Sequence, residues 1–339
     1  MSRIEAAVTN GVGELVLNRP EALNAVDGAM FAQIETTLLA WRDDPAVRLV
    51  LVRGNGKAFS AGGDIRAVRE ALMRGDLAHN EALYRAEYAV NAIIDEYPKP
   101  YVALVDGYAM GGGLGLAMHA AYRVVTERAI VAMPETLIGF FPDVGASYVF
   151  PRLPGALGNY LGLTGEYLDD AGAMAARLAT HAMPHDRLDA FADDLRARPD
   201  ELEALLARYA EPPRPSAITE HRPAIDRCFD AHTVAEILER LRADESPWAL
   251  DTIARLEQRS PTALAVTLAL FRIGATMSLR ECLGTELRLG RTMLQFPDFA
   301  EGVRAAVVDK DRLPRWSPAR IEDVDEASVA RLVARAASA

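Results

Sequence analysis

Cysteine is almost absent from this chain of 339 residues: Cys228 and Cys282 are the only two, and neither sits in a paired motif. That excludes a disulfide framework and a cysteine-rich metal site, and it fits a reducing compartment. Lysine is nearly missing as well, with Lys57, Lys99 and Lys310 alone among 37 basic residues. The formal net charge of -11 repels phosphate backbones, and no Lys/Arg-rich stripe offsets it, so nucleic acid is not an expected partner. The opening Met1-Ser2-Arg3-Ile4-Glu5 has neither the apolar run of a signal peptide nor the Arg/Ser bias of a transit peptide, and the expected compartment is cytoplasmic. Only residues 102–122 imitate a membrane span, with Gly107, Gly111 and Gly115 at GxxxG spacing. Asp106 and His119 would be costly in lipid there, and the run Gly111-Gly112-Gly113 is a poor helix interior, so no membrane partner is expected.

Several chemical motifs are missing too. The glycine run does not complete a dinucleotide fingerprint, because Leu116 and Met118 stand where GxGxxG needs glycine. Gly54-Asn55-Gly56-Lys57 is followed by Ala58 and is too short for a Walker A loop. There is no G-x-S-x-G elbow, which disfavours a serine-triad thioesterase. His181 and His185 lie four residues apart without a zincin-type acidic partner, and a solvated pair is the plainer reading.

What is present is ample core material: half of the residues are apolar and a quarter charged, the balance of a folded chain with room for one large domain or two. Residues 4–10 and 13–18 read as strands. Asp27 reads as the N-cap of a helix running to about Trp41. Residues 47–53 and 101–105 are short apolar runs that suit buried strands, each followed by a loop of small residues. Residues 65–97 read as helix with a break near Gly75. A helix at 114–121 and strands at 123–126 and 130–132 follow. The alternation marks an α/β body. From about Leu188 helices dominate, and a Pro-rich stretch at 211–215 is a plausible linker. The expected organisation is a body over 1–205 and a helical C-terminal region over 206–339.

The two loops are Phe59-Ser60-Ala61-Gly62-Gly63-Asp64-Ile65 and Gly107-Tyr108-Ala109-Met110-Gly111-Gly112-Gly113. Small residues let backbone N–H groups approach a ligand, and a pair of them aimed at one carbonyl oxygen forms an oxyanion hole. On glycine content alone, two tight turns are the plainer reading. The wider pattern shifts the balance. Asn18-Arg19-Pro20 with Leu23-Asn24-Ala25, then Ala61-Gly62-Gly63-Asp64-Ile65, then the triple glycine resemble, in order and spacing, the successive signatures of the crotonase (enoyl-CoA hydratase/isomerase) superfamily. The resemblance implies a spiral of ββα units and a bound CoA thioester. It assigns the oxyanion hole to the N–H groups of Gly63 and Gly112, and substrate binding to Asn24, Ala25, Ala61, Gly62, Asp64 and Ile65.

The chain departs from ordinary hydratases at one point. Of their two glutamates the second maps to Glu135, whereas the first falls at Gly115, and Asp143 stands where hydratases usually have glycine. Taken alone, Pro134 suits position N1 of a short helix, Glu135 its first turn and Asp143 an N-cap, and both carboxylates would merely stabilise helix ends. The string Met133-Pro134-Glu135-Thr136, with Phe141-Pro142-Asp143-Val144-Gly145 and Pro151-Arg152-Leu153, is similar to the 3-hydroxyisobutyryl-CoA hydrolase branch. So is Lys99-Pro100-Tyr101-Val102-Ala103-Leu104. That resemblance makes Glu135 and Asp143 the catalytic pair and gives Glu87 the placing of the acyl group, against a plain solvated position on its helix. It implies thioester hydrolysis with no metal or redox cofactor, CoA being part of the substrate, and leaves room for a homo-oligomer. The alternatives are an enoyl-CoA hydratase or isomerase, and a non-catalytic RNA-binding relative that the acidic balance opposes.

Overall fold

The computed structural model describes residues 2–338. Nine strands follow in chain order: β1 (Ile4–Thr9), β2 (Val12–Leu17), β3 (Leu49–Gly54), β4 (Ala58–Ser60), β5 (Tyr101–Val105), β6 (Tyr108–Met110), β7 (Tyr122–Val125), β8 (Ile130–Ala132) and β9 (His181–Ala182). The helices nearest the sequence motifs are α1 (Gly28–Asp43), α2 (Ile65–Met73), α3 (Leu77–Asp95), α4 (Gly112–Met118) and α5 (Ala146–Val149). By packing, the chain divides into two units built from interleaved segments. The first takes Met1–Gly63, Ala86–Ala132 and Tyr167–Thr219, and the second Asp64–Arg85, Met133–Glu166 and Glu220–Ala339. The division at 205/206 separates strand-bearing from helical sequence, whereas each packing unit draws on both sides of it.

The first unit holds both sheets. β1 and β2 form an antiparallel hairpin closed by Asn10-Gly11, a dipeptide whose preferred turn matches strand twist. β3, β5, β7 and β9 add in parallel, in the order β1-β2-β3-β5-β7-β9. β4, β6 and β8 form a second, parallel sheet. The pairs β3–β4, β5–β6 and β7–β8 therefore each send their first strand to the large sheet and their second to the small one. With helices between the pairs, this is the ββα spiral expected above.

The apolar runs explain the large sheet. β5 is buried at all five positions, as a central parallel strand covered on both faces should be. On one face Val12, Leu49, Leu51, Val102, Leu104 and Val124 pack against Phe191, Leu195, Leu202, Leu205 and Leu206, from the helices Leu188–Ala197 and Leu202–Tyr209. Burying each such side chain is worth about 1.5–3 kcal/mol. β4 and β6 fall inside stretches read as loops from the sequence; three residues carry no usable period. Residues 102–122 resolve into β5, β6 and α4. Among the described residues no helix is long and apolar enough to cross a membrane.

The second unit is helical. Its two long helices, Pro261–Gly274 and Leu279–Met293, open with serine N-caps: Ser260 accepts from the Ala263 N–H, and Ser278 forms a capping box with Glu281.

Candidate active site

In the first unit the two glycine loops meet. The Val26 N–H donates to the Gly62 carbonyl at 2.9 Å and the Ala61 N–H to the Leu23 carbonyl at 2.9 Å, which pins the first loop to the segment 23–26. Gly62 has φ +105°, and a Cβ there would lie 2.9 Å from the Met110 carbonyl oxygen. Gly112 is the first residue of α4, so its N–H has no acceptor within the helix. A Cβ on Gly112 would lie 3.3 Å from the Gly63 amide nitrogen and 2.0 Å from Glu87 Oε1. Only glycine allows that approach. Glu87, on α3, is 3 % exposed, so it is not a solvated position. Gly63, Gly112 and the Glu87 carboxyl thus share one small region.

The other predicted binding residues are placed differently. Asn24 is fully buried with φ 55°. Its side chain donates to the Asn55 and Ala58 carbonyls and accepts from the Arg19 N–H. That satisfies the amide and makes Asn24 a brace for the loop. Ser60 adds a second brace, donating to the Asn24 carbonyl and accepting from the Gly62 N–H. Ala25 and Ala61 are half-buried beside it. Asp64 and Ile65 begin the second unit, where the Asp64 carboxylate accepts from the Ala67 N–H and caps α2.

The second unit holds the carboxylates. Pro134 is the N-cap, not N1, of a 3-10 turn over Glu135–Ile138. Glu135 is buried, and its Oε2 has no hydrogen-bond partner among the described residues. Burial, and then the charge of Asp143 beside it, hold the Glu135 carboxyl well above the ordinary carboxylate range. Asp143 is buried too, but it does not cap α5: that position is Gly145. The residues between are in left-handed conformation, Val144 at φ 52° and Gly145 at φ 87°. For a β-branched residue this costs about 1–3 kcal/mol and persists only where surrounding contacts over-determine it.

Sequence reasoning missed a third carboxyl. Glu286, on Leu279–Met293, is fully buried. Its Oε2 accepts from the Gly145 N–H at 2.8 Å, and its Oε1 from the Ser147 N–H at 3.1 Å and the Ser147 hydroxyl at 2.5 Å. Burial pushes its pKa up to about 8, the Asp143 charge adding to the rise and the three donors opposing it. The signal was available: Glu286 falls on the stripe Leu279, Cys282, Leu283, Leu289 and Met293, the buried and, but for Thr285, apolar face of its helix. Among the described residues no group of three or more His, Cys, Asp or Glu side chains is arranged to hold a metal ion.

Comparison with known proteins follows the same lines. The family model described as Enoyl-CoA hydratase/isomerase matches residues 12–333. The chain is 42% identical over 324 residues to the 3-hydroxyisobutyryl-CoA hydrolase, mitochondrial, of Rattus norvegicus, covering 93% of this chain and 84% of the relative. Among solved structures, a carnitinyl-CoA dehydratase from Mycobacterium thermoresistibile superposes with a TM-score of 0.93 at 40% identity, covering 98% of this chain and 96% of that one. An enoyl-CoA hydratase from Rhodobacter sphaeroides 2.4.1 gives 0.91 at 38%, covering 98% and 97%. The cytoplasmic expectation does not stand, because the rat relative is named as mitochondrial. Scarce cysteine suits any reducing compartment, and an address is a receptor-read signal that composition does not report.

Proposed function

Because the chain belongs to the enoyl-CoA hydratase/isomerase family, with its crotonase fold, we propose that it hydrolyses a small 3-hydroxyacyl-CoA thioester. The foremost substrate is 3-hydroxyisobutyryl-CoA, and the context is valine breakdown. The observation that carries this reading is the buried Glu135–Asp143 pair, on a chain whose position for the other hydratase glutamate is Gly115. That glycine lies in the buried helix α4 and offers no side chain. The identity to the rat hydrolase supports the same reading.

On this reading backbone donors polarise the thioester carbonyl. The N–H groups of Gly63 and Gly112 donate to its oxygen, and that bonding strengthens as charge develops there; losing one such donor costs about 3–4 kcal/mol in the transition state. Glu87 orients the acyl group. Proton transfer falls to the carboxylates. Glu135 takes a proton from water, or attacks the carbonyl carbon to form an anhydride that water then opens. Either route requires it ionised. The C–S bond breaks, the acid carries one oxygen from water, and CoA leaves as a thiol after protonation. Asp143 orients Glu135 or supplies that proton. This chemistry uses no metal or redox cofactor.

The resemblance to solved hydratases keeps hydration in view as the second reading. A panel of acyl-CoA thioesters separates the two. Free thiol release, fastest on branched 3-hydroxyacyl-CoA, is expected. Crotonyl-CoA hydration at about 10 s⁻¹ or more, a typical enzyme rate, with no thiol released from any hydroxyacyl-CoA would replace the hydrolase reading and leave the fold untouched.

A further inference from the structure

We infer that Glu286 is a positioning residue for Asp143: through the Gly145 N–H, the Ser147 N–H and the Ser147 hydroxyl it holds the turn that sets the Asp143 carboxylate beside Glu135. Its kinetic consequence rests on the hydrolase reading, its geometric one does not, and it assigns the role to a residue of the helical C-terminal region.

Three observations converge. First, the turn needs holding. Val144, a β-branched residue, and Gly145 are both left-handed, and the backbone between Asp143 and α5 is otherwise closed by the Ala146 N–H to Asp143 carbonyl bond of 2.8 Å. Second, three donors of the turn meet one group. All three donors, the N–H of the residue after Val144 and both donors of Ser147, converge on one carboxyl, 141 residues further along the chain at Gly145. Third, a carboxyl on a largely apolar stripe is costly to bury, charged or not, and is retained only where its bonds are made. An apolar residue at 286 would pack more simply and leave two backbone N–H groups without an acceptor.

A merely structural carboxylate would serve as a tertiary cap for α5, and its loss would weaken the protein without regard to Asp143. The test is therefore a double-mutant cycle. Thiol release from 3-hydroxyisobutyryl-CoA is measured for the parent, Glu286→Gln, Asp143→Asn and the double variant. In either orientation the glutamine amide leaves one of the two backbone N–H groups facing an NH2. The expected result is a kcat lower by about tenfold or more in the single variant with KM within about threefold, and a change below about twofold in the Asp143→Asn background, since groups acting as a unit are non-additive. Equal losses in both backgrounds, or no loss in the first, overturn the inference. Should Glu286→Gln not fold by circular dichroism, Ser147→Ala carries the cycle. It removes one donor and strands no backbone group, and the same pattern is expected at about threefold. A parent that releases no thiol removes the hydrolase reading, not this one. In that case, or where Asp143→Asn turns over too slowly to measure, the crystal structure of the Glu286→Gln protein, or of Ser147→Ala in its place, decides. Val144 leaving positive φ, or the Asp143 carboxylate displaced, supports the positioning role. A turn superposing on the parent's refutes it.

Discussion

A carboxyl that is to act on water must hold its proton loosely enough to lose it and tightly enough to take another. Glu135 is set for that by its surroundings. Burial removes water from its charged form, and the neighbouring Asp143 disfavours a second negative charge. Both raise its proton affinity. On the proposed mechanism the ionised form is the active one by either route, so kcat/KM should climb with pH and level off only well above the usual carboxylate range. Stopped-flow thiol release across pH 4–9 checks this; a plateau already reached near pH 4.5, the ordinary glutamate value, would show that another group limits the rate. Glu135→Gln keeps the shape and removes the base or nucleophile. Turnover should fall by about 10²–10⁴ while a CoA thioester still binds by calorimetry.

At the scale of elements, the helix Leu279–Met293 shows how a local signal supports a distant site. Its start is specified by Ser278 and Glu281, whose reciprocal bonds form a capping box. Its inner face then carries Glu286 two turns later. Ser278→Ala should lower unfolding free energy by about 1 kcal/mol, read from urea denaturation, and leave kcat at the parent value because Glu286 keeps its three donors. A kcat that drops with the cap would mean that the helix start, and not the Glu286 contacts, sets the turn.

For the whole molecule, buried acids tie stability to pH. Glu286 moves from 4.5 in the open chain to about 8 in the folded one. The native state therefore holds a proton that the unfolded state has lost between those values. Stability contributed by that proton is fully present below about pH 4.5 and is lost as pH rises through 8, with a slope of at most about 1.4 kcal/mol per pH unit. Glu135 acts in the same direction. His181, held below its ordinary value by burial, acts weakly in the other. Comparing the parent with Glu286→Gln cancels those common contributions. The difference in their melting temperatures should shrink from pH 5.5 to pH 9, and a constant difference would mean that Glu286 does not titrate in this range.

Local pattern was enough for much of the architecture. Asp27 capping α1, the apolar run of β5 and the break near Gly75 are each decided within a few residues by propensity, period and capping, and each is where the sequence puts it. The small-residue loops and the segments carrying Glu135 and Asp143 could be picked out for the same reason: each motif is contiguous. The tertiary structure decided what depends on distant partners. It tied the Asn24 side chain into the loop as a brace, brought Glu87 against Gly112, made Gly145 and not Asp143 the cap of α5, and supplied Glu286 from far along the chain. Burial, proton affinity and the relief of a strained turn arise from packing between segments remote in sequence, and no local window contains both partners.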